Sequence, residues 1–222
     1  MTSYVDFPET RELTARTLSL DSALFRYPYR VRVQDDKAVV LDLHGTEYFF
    51  HAFHYPGFHY LSSFGKRGDA PEEILSAENF RWNGQFLWTL DSNKSELTRL
   101  GFASSGDSLL RLEAVSLDEE LLRALDFVQY DDSTFIIPDY SGDSRFCLVS
   151  RQGKLLRKVG NIPTTYEDAL ESARPALAQA WRSFIDYNPH NGILVAATQL
   201  GEVLEIYNLK DSTHIACIGP NG

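Results

Sequence analysis

The sequence predicts an all-β fold, a β-propeller of four-stranded antiparallel blades, and three observations carry that expectation. A polar turn followed by an apolar run recurs four times, as DDKAVVLD (35–42), GQFLWTLD (84–91), DSTFIIPD (132–139) and GILVAATQ (192–199). The copies start 49, 48 and 60 residues apart, near the roughly 40–50-residue period of propeller blades. Around each copy lie three more short runs, β-branched or aromatic and bounded by Gly, Asn, Asp and Ser, as strands are.

Each repeat reads as four strands in order. The first strands fall at 29–33, 79–82, 125–130 and 183–187, and the apolar runs are the second. The third fall at 47–54, 95–102, 145–150 and 202–209, the fourth at 58–64, 109–115, 155–159 and 213–218. The blades therefore span about 29–65, 79–116, 125–160 and 183–219 of one domain covering 1–222. Asn83-Gly84 and Asn191-Gly192 supply the positive φ of tight hairpins, and Gln152-Gly153 suits a turn between third and fourth strands. An N-terminal segment, 1–28, precedes the first blade, and 16–20 within it is a candidate ring-closing strand.

One stretch breaks the pattern. Apolar residues at Tyr166, Leu170, Ala173, Leu177 and Trp181 have helical spacing, and Thr164 with Glu167 has capping-box spacing. Pro175 interrupts the run. The expectation is a helical insertion over 164–182, as one or two short pieces, between blades three and four. A shorter helix over 117–124 is expected to link blades two and three.

Composition bounds the function. The 222 residues are 43% hydrophobic and 13% aromatic, enough for a core and against disorder. A net charge of −10 argues against nucleic acid, which rewards clustered Lys and Arg, and against anionic lipid. It suits an acidic, solvated surface. No apolar run is long enough to cross a bilayer, and the start lacks the basic and apolar regions of a signal peptide. Cys147 and Cys217 sit in apolar runs with no metal-ligand spacing and read as buried thiols.

The order of apolar run, Asp, loop and two further strands, followed by Gly65-Lys66-Arg67-Gly68-Asp69-Ala70-Pro71-Glu72-Glu73, resembles the six-bladed TolB-like propellers of Bacteroidetes, relatives of NHL-repeat propellers. The fourth repeat, FIDYNPHNGILVAATQLGEVLEIYNL, resembles the family's Asn-Pro-x-x-Gly repeat. The resemblance covers about 16–222. It implies a ring of six blades, for which about 300 residues are needed at roughly 45–50 per blade. Gly219-Pro220-Asn221-Gly222 repeats the register of Gly65, so the expectation is a chain holding four of six blades. A natural four-bladed ring is the alternative. The resemblance also implies export to the cell envelope or periplasm, with the signal absent from this chain.

Ligands of such propellers sit on the face formed by the loops between second and third strands and between blades. The resemblance would gather Asp42, Asp91 and Asp139 there. A ring of carboxylates suits a hard cation such as calcium, whereas a lone Asp at each turn hydrogen-bonds nearby backbone N–H groups. No cofactor is otherwise called for. Lys66 and Arg67, in the first inter-blade loop, are candidates for an anion or an acidic partner; no helix-opening phosphate loop follows Gly65 and Gly68. His44, His51, His54 and His59 cluster in sequence, but His51 and His54 point to opposite strand faces and lack metalloprotease spacing. No serine sits in a nucleophile elbow.

The function expected is non-catalytic: a binding or scaffold propeller recognising a protein, peptide or glycan-related ligand through its loop face. The alternatives are a metal-assisted hydrolase or lyase, and a structural module that self-associates through open strand edges.

Overall fold

The computed structural model describes residues 2–3, 9–18, 25–105, 108–164 and 167–219. A short strand, β1 (Thr2–Ser3), comes first. The first blade is β2 (Pro28–Gln34), β3 (Lys37–Asp42), β4 (Tyr48–His54) and β5 (His59–Lys66). The second is β6 (Ala77–Asn83), β7 (Phe86–Asp91), β8 (Glu96–Phe102) and β9 (Leu109–Ser116). The third is β10 (Val128–Asp131), β11 (Thr134–Pro138), β12 (Phe146–Ser150) and β13 (Leu155–Val159). Two short helices follow, α1 (Glu167–Ser172) and α2 (Arg174–Ala180). The fourth is β14 (Ser183–Asn188), β15 (Ile193–Thr198), β16 (Val203–Asn208) and β17 (Thr213–Ile218). Each blade pairs its strands antiparallel in sequence order, and β1 adds to the fourth in parallel, Thr2 opposite Cys217.

The chain divides into two compact units, one of residues 14–117 and one of residues 1–13 with 118–222. Each holds two blades. In the first unit, Val39, Leu41, Phe50 and Phe64 of blade one pack with Ala77, Phe80, Leu87 and Leu100 of blade two. Phe50 stacks on Phe64 at 5.2 Å and meets the face of Phe80 edge-on at 5.6 Å, the two geometries aromatic quadrupoles favour. In the second unit, Val128, Ile136 and Phe146 of blade three pack with Ile185, Leu194 and Ala196 of blade four.

Strand position explains the sequence pattern. β3 and β7 are buried from their second residue onward, so both faces are apolar and the run is continuous. β9, an edge strand, alternates between half-buried and exposed over Leu109–Ala114, the period-2 signature of one buried face. The hairpins close as expected on Gly84 (φ +55°) and Gly192 (φ +77°), and Gly153 (φ +85°) turns β12 into β13. Gly65 is needed for space as well as for its φ of +66°, because a Cβ there would lie 2.7 Å from the Phe50 ring.

Several expectations are corrected. Over 117–124 there is no helix. Leu117, Leu121 and Ala124 are buried at helical spacing, but Asp118 accepts the N–H groups of Glu120 and Leu155 and Arg123 has φ +41°, so the segment is an anchored turn. β10 starts at Val128 rather than at residue 125. Its register would set Asp126 opposite Pro138, which has no N–H to offer. Asp126 instead accepts the N–H of Ile185, in the next blade. No strand forms over Arg16–Leu18, and Ser19 and Leu20 lie outside the described residues; the strand added to the fourth blade is β1. The helical insertion is two helices broken at Ala173, with Pro175 in the first turn of α2, where its missing N–H costs nothing. The capping-box contact from Thr164 lies outside what is described. Both cysteines are free thiols, but only Cys147 is buried; Cys217 is half-exposed.

Candidate functional site

In the first unit, Asp42 is 1% exposed and Asp91 4%. Asp42 accepts the N–H groups of Arg26 (2.9 Å) and Tyr27 (2.6 Å). Asp91 accepts those of Leu75 (2.6 Å) and Ser76 (3.2 Å), the same 16 and 15 residues upstream, and also those of Asn93 and Lys94 in its own turn. The carboxylate that ends the second strand thus ties down the chain entering the first. In the second unit, Asp139, 5% exposed, follows the end of β11. It accepts from Ser141 and Ser144 of its own turn and lies 3.4 Å from Lys158 Nζ. Among the described residues no three His, Cys, Asp or Glu side chains are arranged to hold a metal ion.

Lys66 and Arg67 are likewise engaged. Lys66 donates to Glu73 Oε1 at 2.7 Å. The pairing holds the Lys66 ammonium above its ordinary pKa and the Glu73 carboxyl below. Arg67 donates to the Gly45 carbonyl at 3.2 Å and lies 4.8 Å over the Phe49 ring. Blade two pins the loop after them: Lys94 donates to the carbonyls of Ala70 and Glu73, and Arg111 to that of Pro71. Of the histidines, His44, His54 and His59 are exposed and His51 is buried. His51 shares a 2.8 Å hydrogen bond between Nδ1 and Ser63 Oγ, and burial lowers its pKa, opposed by nearby Asp42.

The second unit holds a group that sequence reasoning missed. Arg145, at the entry to β12, reaches into blade four. Its Nε and Nη2 donate to Glu205 Oε2 at 2.9 and 2.6 Å, Nη2 to Ser183 Oγ at 2.6 Å, and Nη1 to the Trp181 carbonyl at 3.1 Å. Both partners of this ion pair are buried, Glu205 completely. The other Glu205 oxygen accepts the Tyr207 hydroxyl and lies 3.6 Å from His214 Nε2. Burial, and next the Glu205 charge, push the Tyr207 phenol far above its ordinary value, so it remains a neutral donor. The signal for this group was a charge within an apolar strand, Glu205 in VLEIYN; charges buried there are almost always paired.

In front of this cluster lies a cavity of about 490 Å³, between blades three and four. Its aromatic wall is Tyr130, Phe146 and Tyr207; Phe146 meets Tyr207 edge-on at 5.2 Å, and the His214 ring lies flat on Tyr207 at 4.1 Å. Arg157, Asn161 and Asn208 add polar groups. Asn208 is held by Asp211 and Lys210, whereas the Arg157 guanidinium and the Asn161 amide have no side-chain partner among the described residues. The volume, the apolar wall and the few polar groups are those of a small-ligand site.

This architecture is that of a propeller, and the sequence agrees. The TolB-like 6-blade propeller-like family matches residues 6–222. The chain belongs to that family. Among solved structures it is similar to a candidate exported protein of Bacteroides fragilis NCTC 9343, at TM-score 0.61 and 13% identity, over 91% of this chain and 54% of that one. It is also similar to a member of the duf4221 family from Bacteroides vulgatus ATCC 8482, at TM-score 0.59 and 12% identity, over 92% of this chain and 62% of that one. The chain thus spans little more than half the length of these proteins, and at such identities the likeness is one of fold. No curated protein matches the sequence.

Proposed function

We propose that this chain is a non-catalytic binding propeller, and that its ligand, a protein, peptide or glycan-related molecule, enters the cavity between blades three and four. The observation that carries this reading is the cavity itself, with an aromatic wall and with Arg157 and Asn161 at its lining, neither with a side-chain partner among the described residues. Asp42, Lys66, Arg67, Asp91 and Asp139 all have intramolecular partners, which moves the reading away from the loop-face residues and towards this cavity. Export to the cell envelope completes the proposal, supported by the fold shared with a candidate exported protein; fractionation of the native host would test it.

The binding reading is tested by probing glycan and peptide arrays with the purified chain and with Leu148→Trp, which places an indole in the cavity from β12. Ligands captured unchanged by the parent and lost in the variant are the expected result. Conversion of the captured ligand, or capture indifferent to Leu148→Trp, would overturn it.

A further inference from the structure

The chemistry of the cavity narrows its ligand. Among the lining residues the charged or ionisable side chains of ordinary acid–base range are Arg157 and His214, and none is a carboxylate, in a chain whose net charge is −10. The nearby acids are already committed. Glu205 is neutralised by Arg145, and Asp211 accepts from Asn208 Nδ2 at 2.8 Å and Thr213 Oγ1 at 2.6 Å. Arg157 therefore presents an uncompensated guanidinium, whose planar fork suits a carboxylate. Beside it are groups that recognise hydroxyls: the Asn161 and Asn208 amides and Ser212. The Tyr130 ring and the His214 ring stacked on Tyr207 offer flat surface.

The contrast with a cleft of about 310 Å³ in the first unit sharpens this. That cleft also has aromatic walls, Trp82, Phe86 and Phe102. Its cation is spent internally, because Lys37 Nζ lies 5.0 Å over the Phe102 ring and 3.4 Å from Asp36. The positive charge at the cavity of the second unit, Arg157, has no such partner among the described residues.

Resting on the binding reading above, we propose that the cavity between blades three and four takes an acidic saccharide, a uronic-acid type of sugar. Its carboxylate pairs with Arg157, its hydroxyls meet Asn161 and Asn208, and the apolar face of its ring lies on the aromatic wall. The probes are digalacturonate and its bis(methyl ester), in which methyl groups cap both carboxylates and remove their charge while the hydroxyls are kept, titrated calorimetrically into the whole chain. Digalacturonate is expected to bind at least about tenfold more tightly than the ester, the effect of one charge-assisted contact. Arg157→Gln is expected to remove that gap by weakening the acid far more than the ester, and Leu148→Trp to abolish both. Thr213→Trp, at the exposed rim, serves as a second plug should Leu148→Trp fail to fold. Equal affinity for acid and ester, with both lost on plugging, would overturn the acidic specificity and leave the binding reading intact. Acid binding that survives both plugs would overturn the site. Binding of neither probe would overturn the saccharide assignment, and the arrays would then decide the binding reading separately.

Discussion

In the first unit the carboxylate that closes each second strand ties down the chain entering the first strand; in the second unit Asp139 takes N–H groups of its own turn and the fourth blade uses other chemistry. The register places Thr198 opposite Ser183, as Asp42 is opposite Pro28 and Asp91 opposite Ala77. Among the described residues, Thr198 Oγ1 accepts the Val203 N–H alone, at 3.1 Å. The carbonyl of Trp181 and the hydroxyl of Ser183, at the entry to β14, are met instead by Arg145 from the neighbouring blade. The anchors at Asp42 and Asp91 are each local to one blade, whereas Arg145 joins two. The core follows the same division: Phe50, Phe64 and Phe80 fill the first unit's interface, while the second places a charged network beside an open cavity. The cavity beside that network is the larger, about 490 Å³ against about 310 Å³ for the cleft of the first unit.

The largest test of this contrast is Arg145→Ala. It leaves Glu205 buried and uncompensated, so a loss of about 3–5 kcal/mol is expected in urea unfolding. Replacing both partners with apolar residues, Arg145→Met with Glu205→Leu, is expected to recover most of that. A loss as small as that of a surface pair would show that Arg145 does not hold the two blades together. Next comes the comparison of Asp91→Ala with Thr198→Ala. Asp91 serves four N–H groups from buried carboxylate oxygens, so its removal is expected to cost about 3 kcal/mol, against about 1 kcal/mol for Thr198. Equal costs would erase the difference between the units at this position.

The smallest expected effect concerns His51, in the first unit. Its folded pKa is lowered, chiefly by burial, so the unfolded chain binds the proton more readily. Stability is therefore unaffected well above pH ~6.5, the ordinary value, and falls as pH drops through it towards the folded value. Urea midpoints measured across this window should decline towards acid, and His51→Gln should flatten that part of the decline. An unchanged slope would assign it to the carboxylates instead.

Much of the fold was legible because its cues are local. Gly84 and Gly192 sit where positive φ is required, and the inner strands are continuous apolar runs because both their faces are covered. The misreadings also have local causes. The run over 117–124 has helical spacing, yet Asp118 captures N–H groups from two directions and the chain turns. Aligning GILVAATQ by its turn puts Gln199 at the aspartate position, whereas pairing puts Thr198 there; a shift of one residue is invisible until partner strands are known. The sequence also marked Asp42 and Asp91 as notable without revealing that their partners lie 15 and 16 residues upstream.

What the sequence by itself determined is the repeat, the strand content and the broken helical insertion, since periodicity, turn residues and Pro175 act over a few neighbours. Only the tertiary structure decided which charges meet. Arg145 and Glu205 are 60 residues apart, and neither marks the other in the chain. They pair because blade packing brings the entry to β12 against the middle of β16, where both charges are buried. The cavity beside them, with Arg157 at its lining, follows from the same packing.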